Sequence, residues 1–167
     1  MTQASSPASR SGSTGAFTSD EPLGTSADKR HSLEDVELRH LYLGSSDTAA
    51  DVACWLAVPG ARLRWRFQHF GADVAAIDNG TAPVLLIADH RPPGTVLPIY
   101  AVDSLAVTMA DLESGGWRHQ LGPVGTPEGP ACVLTSATGV AIALLQLDRP
   151  GAMDHAYADE SNTHRVR

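Results

Sequence analysis

HLYLGSSD, residues 40–47, is a short apolar strand that leads into a helix start, and it is matched 57 residues later by LPIYAVDS, residues 97–104. The same offset separates TAPVLLIA, residues 81–88, from TGVAIALL, residues 138–145. The chain therefore contains one module twice. A module of this size cannot bury both faces of its own sheet, so the two copies are predicted to pack together and leave a groove between their sheets for a ligand.

Apolar periodicity predicts the element order β-α-β-β-β in each module. Asp47 is predicted to cap the first helix, and Pro59 and Gly60 to end it. The predicted elements are strands at 38–44, 61–67, 73–77 and 84–88 with a helix at 47–57, then strands at 97–102, 117–120, 131–135 and 140–146 with a helix at 104–114. This pattern predicts an α+β fold of two tandem modules that form a cup-shaped cleft.

The two modules are predicted to span residues 36–90 and 95–147, and the segments outside them differ in composition. Twenty of the first thirty residues are Ser, Thr, Gly, Ala or Pro, which leaves too little apolar surface to offset the entropy of ordering the chain. Residues 1–35 are therefore expected to be disordered, and they lack the apolar core of a secretory signal. Residues 148–167 contain few apolar side chains and are expected to form a flexible tail.

Composition excludes several classes of function. The chain has 167 residues, of which 43% are hydrophobic and 19% charged, and a net charge of −7. These values describe an ordinary soluble domain without the basic surface that nucleic acid requires. No apolar run approaches the roughly 20 residues of a membrane span. Cys54 and Cys132 lack the spacing of metal ligands and are expected to be buried free thiols of a cytoplasmic protein.

Three motifs of the repeat carry a resemblance: HLYLGSSD at 40–47, VDSL at 102–105 and TGVAIALLQ at 138–146. With the tandem βαβββ pattern, they resemble the vicinal oxygen chelate superfamily, which contains glyoxalases, bleomycin resistance proteins and extradiol dioxygenases. The resemblance covers about 36–147. It implies that each module forms half of a cup, that a small molecule binds in the cleft and that the protein is a homodimer, with modules either paired within one chain or exchanged between chains.

The resemblance also implies positions for metal ligands, near the start of the first strand and on the last strand of each module. Here those positions hold His40, Leu86, Leu97 and Ala143. Three hydrocarbon side chains cannot replace the hydration of a divalent ion, so no metal and no other cofactor is expected. The same four residues are instead predicted to contribute to the ligand-binding wall.

His40 and Tyr42 alternate along the first strand and are predicted to face the cleft. The imidazole of His40 could bind a ligand or act as a base; alternatively, Tyr42 or a backbone carbonyl satisfies it. Glu128 lies in a loop at 125–130 that is able to fold over the cleft. It is the one carboxylate retained as a candidate general base and ligand contact.

Arg62, Arg64 and Arg66 lie on one side of a predicted strand, with Trp65 and Phe67 on the other. If the arginine side lines the cleft, the ligand is anionic or polar. If that side faces solvent, the row only discourages strand pairing, and Trp65 and Phe67 form an aromatic platform in the cleft. Both alternatives stay open.

Three functions are compatible with these patterns. The first is a binding or resistance-type protein whose apolar cleft holds a small organic molecule without a tightly bound metal. The second is an enzyme of the lyase, isomerase or dioxygenase class that uses His40 as a base or as one metal ligand. The third is a degenerate module that binds a protein partner.

Overall fold

The computed structural model describes residues 36–69, 71–81 and 83–166. The segment 1–35, expected to be disordered, lies outside the described residues. Both modules have the predicted order of elements. The first contains β1 (Glu37–Gly44), α1 (Thr48–Leu56), β2 (Arg62–His69), β3 (Ala72–Asp78) and β4 (Val84–Ala88); the second contains β5 (Val96–Val102), α2 (Leu105–Ser114), β6 (Arg118–Thr126), β7 (Gly129–Thr135) and β8 (Ala141–Gln146); α3 (Ala152–Ala158) follows.

Both long helices begin at capping side chains that are 57 residues apart, as the sequence repeat predicts. The side chain of Asp47 accepts a hydrogen bond from Ala50 N at 3.0 Å. In the second module, Ser104 accepts one from Val107 N at 3.4 Å. Each cap satisfies a backbone N–H that has no partner within its helix, and so fixes where the chain turns from strand to helix.

The eight strands form one mixed sheet in the order β2-β3-β4-β1-β5-β8-β7-β6. Within the modules, β1 runs parallel to β4, and β5 runs parallel to β8. The modules join where β1 pairs antiparallel with β5, and in that ladder His40 lies opposite Ile99 and Tyr42 opposite Leu97. The two halves therefore pair within one chain.

Each long helix covers the same face of its half of the sheet. Val52 of α1 packs in a buried cluster with Ile77 and Ile87, and Leu105 of α2 packs in a second cluster with Leu134. Because side chains alternate along a strand, the neighbours of these residues point to the other face, which we call the inner face. None of the three helices in the described part of the chain combines the length and apolar character needed to cross a membrane.

The expectation of a flexible tail after residue 147 is wrong for α3, which packs on the inner face of the first module. The ring of Tyr157 stacks on that of Phe67, with centroids 4.4 Å apart and planes 5° apart, and Met153 packs in the same cluster. The following backbone pairs with β2, since Gln68 N donates to His164 O at 2.9 Å. The few large apolar side chains of this segment are enough to fix its position because they pack on an aromatic surface. The backbone of the segment in addition pairs with the edge of β2.

The two cysteines differ from the expectation that both are buried. Both are free thiols, and Cys132 is buried in the second helix–sheet cluster. Cys54, however, is exposed. On α1 the residues Val52 and Trp55 face the sheet. Each helical residue is rotated by about 100° from the one before it, so Cys54 lies on the side of the helix that faces solvent.

Candidate functional site

A cavity of about 210 Å³ lies on the inner face of the sheet, between the strands of the two modules and α3. Its wall is mainly apolar. Among the residues that form it are Trp65, Phe67, Leu86, Ile99, Ala143 and Leu145. These positions belong to four different strands, two from each module, so the cavity depends on both modules.

Most of the residues that the sequence assigns to the cleft line this one cavity. They are His40, Tyr42, Trp65, Phe67, Leu86, Glu128 and Ala143. Leu97 is the exception: it is only 3% exposed, but it does not belong to the cavity wall. Ile99, two residues farther along the same side of β5, lies opposite His40 and lines the cavity instead. The sequence repeat aligns Leu97 with His40, whereas the strand register brings Ile99 to the ligand-facing position.

His40 and Glu128 meet inside the cavity, although they come from different modules. His40 Nε2 lies 3.7 Å from Glu128 Oε2, and the two side chains are 12% and 8% exposed. Glu128 Oε1 accepts a hydrogen bond from Gly151 N at 2.9 Å. The interaction with His40 lowers the pKa of Glu128, and the Gly151 N–H and the charges of His40 and Arg39 act in the same direction. Glu128 is therefore a carboxylate that lies within ion-pair distance of the Nε2 edge of the His40 ring.

A tight turn between β6 and β7 places Glu128 at the cavity. Thr126 Oγ1 donates to Gly129 O at 2.6 Å and accepts from Gly129 N at 3.2 Å. Gly129 has a φ of +148°, and a Cβ there would lie 2.1 Å from the backbone oxygen of Gln146. Only glycine fits this close approach, so the glycine at 129 allows the turn that carries Glu128 to lie against the end of β8.

Tyr42 does not satisfy His40. The Tyr42 hydroxyl instead forms a hydrogen bond with His90 Nε2 at 2.9 Å, and Nδ1 of His40 is buried with no hydrogen-bond partner among the described residues. Burial raises the pKa of Tyr42 to about 12, so its hydroxyl stays protonated at neutral pH. The cavity thus contains a neutral phenol and an imidazole whose buried Nδ1 has no hydrogen-bond partner among the described residues.

The arginine row of β2 divides between two sides. The strand has a bulge between Leu63 and Trp65, and as a result both Arg64 and Trp65 line the cavity. Arg66 instead points to Asp73, with Nη2 2.6 Å from Oδ2. Arg62 is exposed and is not part of the cavity wall. The arginine side of β2 therefore neither lines the cavity as a whole nor faces solvent as a whole. Alternation of side chains alone does not reveal the bulge that divides it.

Asp154 of α3 is a site residue that the sequence did not indicate. Its Oδ1 accepts a hydrogen bond from Trp65 Nε1 at 2.8 Å, and its Oδ2 lies 3.3 Å from Arg64 Nη1. Arg64 also lies 3.5 Å from Asp78. The cation of Arg64 is therefore balanced by two carboxylates, and α3 supplies one of them. Since the tail was expected to be unstructured, no signal connected Asp154 with the cavity.

The residues of the cavity do not fit the metal ion that the resemblance implies. Of the four expected ligand positions, only His40 has a donor atom. Glu128 adds a second donor beside it. In the part of the chain that the structure describes, no group of three or more His, Cys, Asp or Glu side chains could hold a metal, and a divalent ion needs at least three or four such ligands.

Comparison with known proteins finds similarity of fold. No protein-family model and no curated protein matches the sequence. A solved methylmalonyl-CoA epimerase from Mycobacterium tuberculosis is 18% identical, with a TM-score of 0.57 over 70% of this chain and 91% of that one. A hypothetical protein from Bacillus halodurans is 14% identical, with a TM-score of 0.58 over 68% of this chain and 96% of that one.

A third solved structure is methylmalonyl-CoA epimerase in complex with methylmalonyl-CoA and ammonium. It is 16% identical to this chain, with a TM-score of 0.55 over 68% of this chain and 95% of that one. At these identities the likeness establishes the fold of this chain and not its activity.

The lowered pKa of Glu128 predicts a pH dependence of stability. A carboxyl group whose pKa is lower in the folded state stabilises the fold above its unfolded-state pKa of about 4.3, and this contribution is lost as the pH falls through the folded-state pKa. Glu128→Gln should therefore be less stable than wild type at pH 7, by about 1–2 kcal/mol. The difference should shrink as the pH falls below about 4.3.

Urea denaturation at pH 7, 5, 4 and 3 measures this difference. Asp111→Asn is the matched control, because Asp111 is exposed on α2, and it should follow the wild-type curve at every pH. A Glu128→Gln deficit that stays constant from pH 7 to pH 3 would show that the charge of Glu128 does not stabilise the fold.

Proposed function

The chain has the fold of the vicinal oxygen chelate superfamily, and from this premise we propose that it binds a small organic molecule in its cavity without a tightly bound metal. This is the function of a sequestering or resistance-type protein. The observation that carries the proposal is the cavity itself: about 210 Å³ of space with a mainly apolar wall and a few polar side chains, among them the pair of His40 and Glu128. Such a combination is typical of small-molecule sites.

The apolar wall of the cavity can bind a ligand tightly without any catalytic group. Removing apolar surface from water stabilises a complex by about 25 cal/mol per Å². A ligand that buries about 300 Å² gains several kcal/mol of binding free energy. This gain offsets much of the free energy that association costs in lost translation and rotation. The pair of His40 and Glu128 then fixes the orientation of the polar end. A chelated ion is not needed for either contribution, which agrees with the hydrocarbon side chains of Leu86 and Ala143.

Filling the cavity tests the proposal. A thermal-shift screen of metabolites and antibiotics should identify ligands, because a ligand at 100 times its Kd stabilises the folded state by about 2.7 kcal/mol. Ala143→Phe places a ring in the cavity and should abolish the shift for every ligand found. Val140→Phe is the matched control, since Val140 is 57% exposed, and it should preserve the shift. Ligands that stabilise both variants equally would bind elsewhere on the protein.

Acid–base catalysis is the second candidate function, and the contact of His40 with Glu128 favours it. A carboxylate beside Nε2 keeps the proton on that nitrogen and leaves Nδ1 able to accept another. His40 would take a proton from a ligand carbon next to a carbonyl group and return it to the same carbon, while Glu128 stabilises the imidazolium in between. Two of the similar solved structures are described as methylmalonyl-CoA epimerases.

Deuterium exchange separates catalysis from binding. If His40 acts as a base, wild-type protein in D₂O should incorporate deuterium into bound carbonyl compounds, and His40→Gln should slow this by at least about 100-fold while affinity changes only a few fold. His155→Gln, an exposed residue of α3, should exchange at the wild-type rate. Ligands that bind to wild type without any exchange would leave binding as the only function.

The proposal includes a homodimer in the cytoplasm. The edge strand β6 exposes Leu121 and Val124, which are 56% and 44% exposed, and apolar side chains on an open strand edge favour pairing with a second copy. The two free thiols agree with a reducing compartment. Sedimentation equilibrium should give the mass of two chains, and Leu121→Glu should give the mass of one. A wild-type monomer would contradict the dimer.

A further inference from the structure

Arg39 lines the cavity together with its neighbour His40. Consecutive residues of a regular strand face opposite sides of the sheet, but β1 has a register shift here. Leu38 pairs with Tyr100 and His40 pairs with Ile99, so Arg39 is an extra residue without an opposite partner. This β-bulge turns the arginine toward the inner face. Bulges of this kind often re-aim a side chain at a functional site.

The guanidinium of Arg39 has no partner in the part of the chain that the structure describes. Its Nε is buried without a hydrogen-bond partner, and no described residue forms an ion pair with it. Arg64, which also lines the cavity, is by contrast paired with Asp78 and Asp154. A partly buried cation without a partner destabilises a fold. The presence of Arg39 at this destabilising position is explained if the ligand supplies the negative charge that pairs with it.

The nearest carboxylate does not fill this role. Glu128 is close enough for the charge of Arg39 to lower its pKa. Its two oxygens, however, are directed to Gly151 N at 2.9 Å and to His40 Nε2 at 3.7 Å. Arg39 and His40 therefore both line the cavity from the same strand, and each has a buried nitrogen without a hydrogen-bond partner among the described residues.

We propose that the ligand of this cavity is a small carboxylic acid, whose carboxylate binds the guanidinium of Arg39 while its hydrocarbon part lies against the apolar wall. This inference rests on the proposed binding function and deepens it. A planar guanidinium matches a carboxylate through two parallel hydrogen bonds. A phosphate dianion fits less well, because Glu128 and Asp154 place two negative charges in the same wall.

Pairs of acids and their primary amides test the assignment, since each amide keeps the shape of the acid and removes its charge. Hexanoate, 3-methylbutanoate and phenylacetate are titrated beside the three amides at pH 7 by isothermal titration calorimetry and by protein-observed NMR. At least one acid should bind at least tenfold more tightly than its amide. In Arg39→Met this preference should vanish, and in Arg39→Lys, which keeps the charge without the fork, it should fall to an intermediate value.

Arg62→Met is the matched control, because Arg62 is an exposed strand arginine outside the cavity; it should keep the wild-type preference for acids. The melting temperature of the ligand-free protein provides a second readout. If Arg39 serves the ligand, Arg39→Met should melt at or above the wild-type temperature. A fall of several degrees would mean that Arg39 supports the fold, and would overturn the assignment.

The outcomes distinguish this inference from the binding function on which it rests. If amides bind wild type as tightly as acids and Ala143→Phe abolishes both, the cavity binds small molecules and the carboxylate assignment is wrong. A preference for acids that persists in Arg39→Met would also overturn it. If neither acids nor amides bind at 10 mM, and the broader thermal-shift screen finds no ligand, the binding function and the carboxylate assignment both fail.

Discussion

The antiparallel ladder between β1 and β5 is the contact on which the rest of the structure depends. Each module alone would leave the N–H and C=O groups of that strand edge without partners, and would present only half of a cavity wall. Joining the two edges satisfies the backbone groups and aligns the inner faces of both halves. The same ladder brings His40 from the first module into reach of Glu128 from the second, so stability and the candidate site arise from one interface.

Much of this arrangement could be predicted from local patterns in the sequence. The 57-residue repeat appears in the structure as two capped helices, because Asp47 and Ser104 supply the same hydrogen bond at equivalent positions. Alternation placed His40 and Tyr42 on the inner side of β1, since one face of each strand must pack under a helix. The lack of donor atoms at Leu86 and Ala143 could also be read directly from residue types.

Other features depend on contacts that no local pattern contains. A β-bulge adds one residue to a strand without changing its composition, so the inward turn of Arg39 and Arg64 could not be predicted from alternation. The register between β1 and β5 decides that Ile99 rather than Leu97 reaches the cavity. α3 has only two large apolar side chains, Met153 and Tyr157, and they pack on an aromatic surface that includes Phe67, which is distant in the sequence.

The C-terminal segment that pairs with β2 limits how the sheets of two molecules could join. The outer edge of β2 is occupied by the chain itself, since Val166 N donates to Arg66 O at 2.9 Å and Phe67 forms a bridge with Arg165. Among the described strands, only β6 keeps an edge open to another molecule. Two copies joined there would have both remaining ends blocked, so strand addition would stop at a closed pair instead of growing into a fibre.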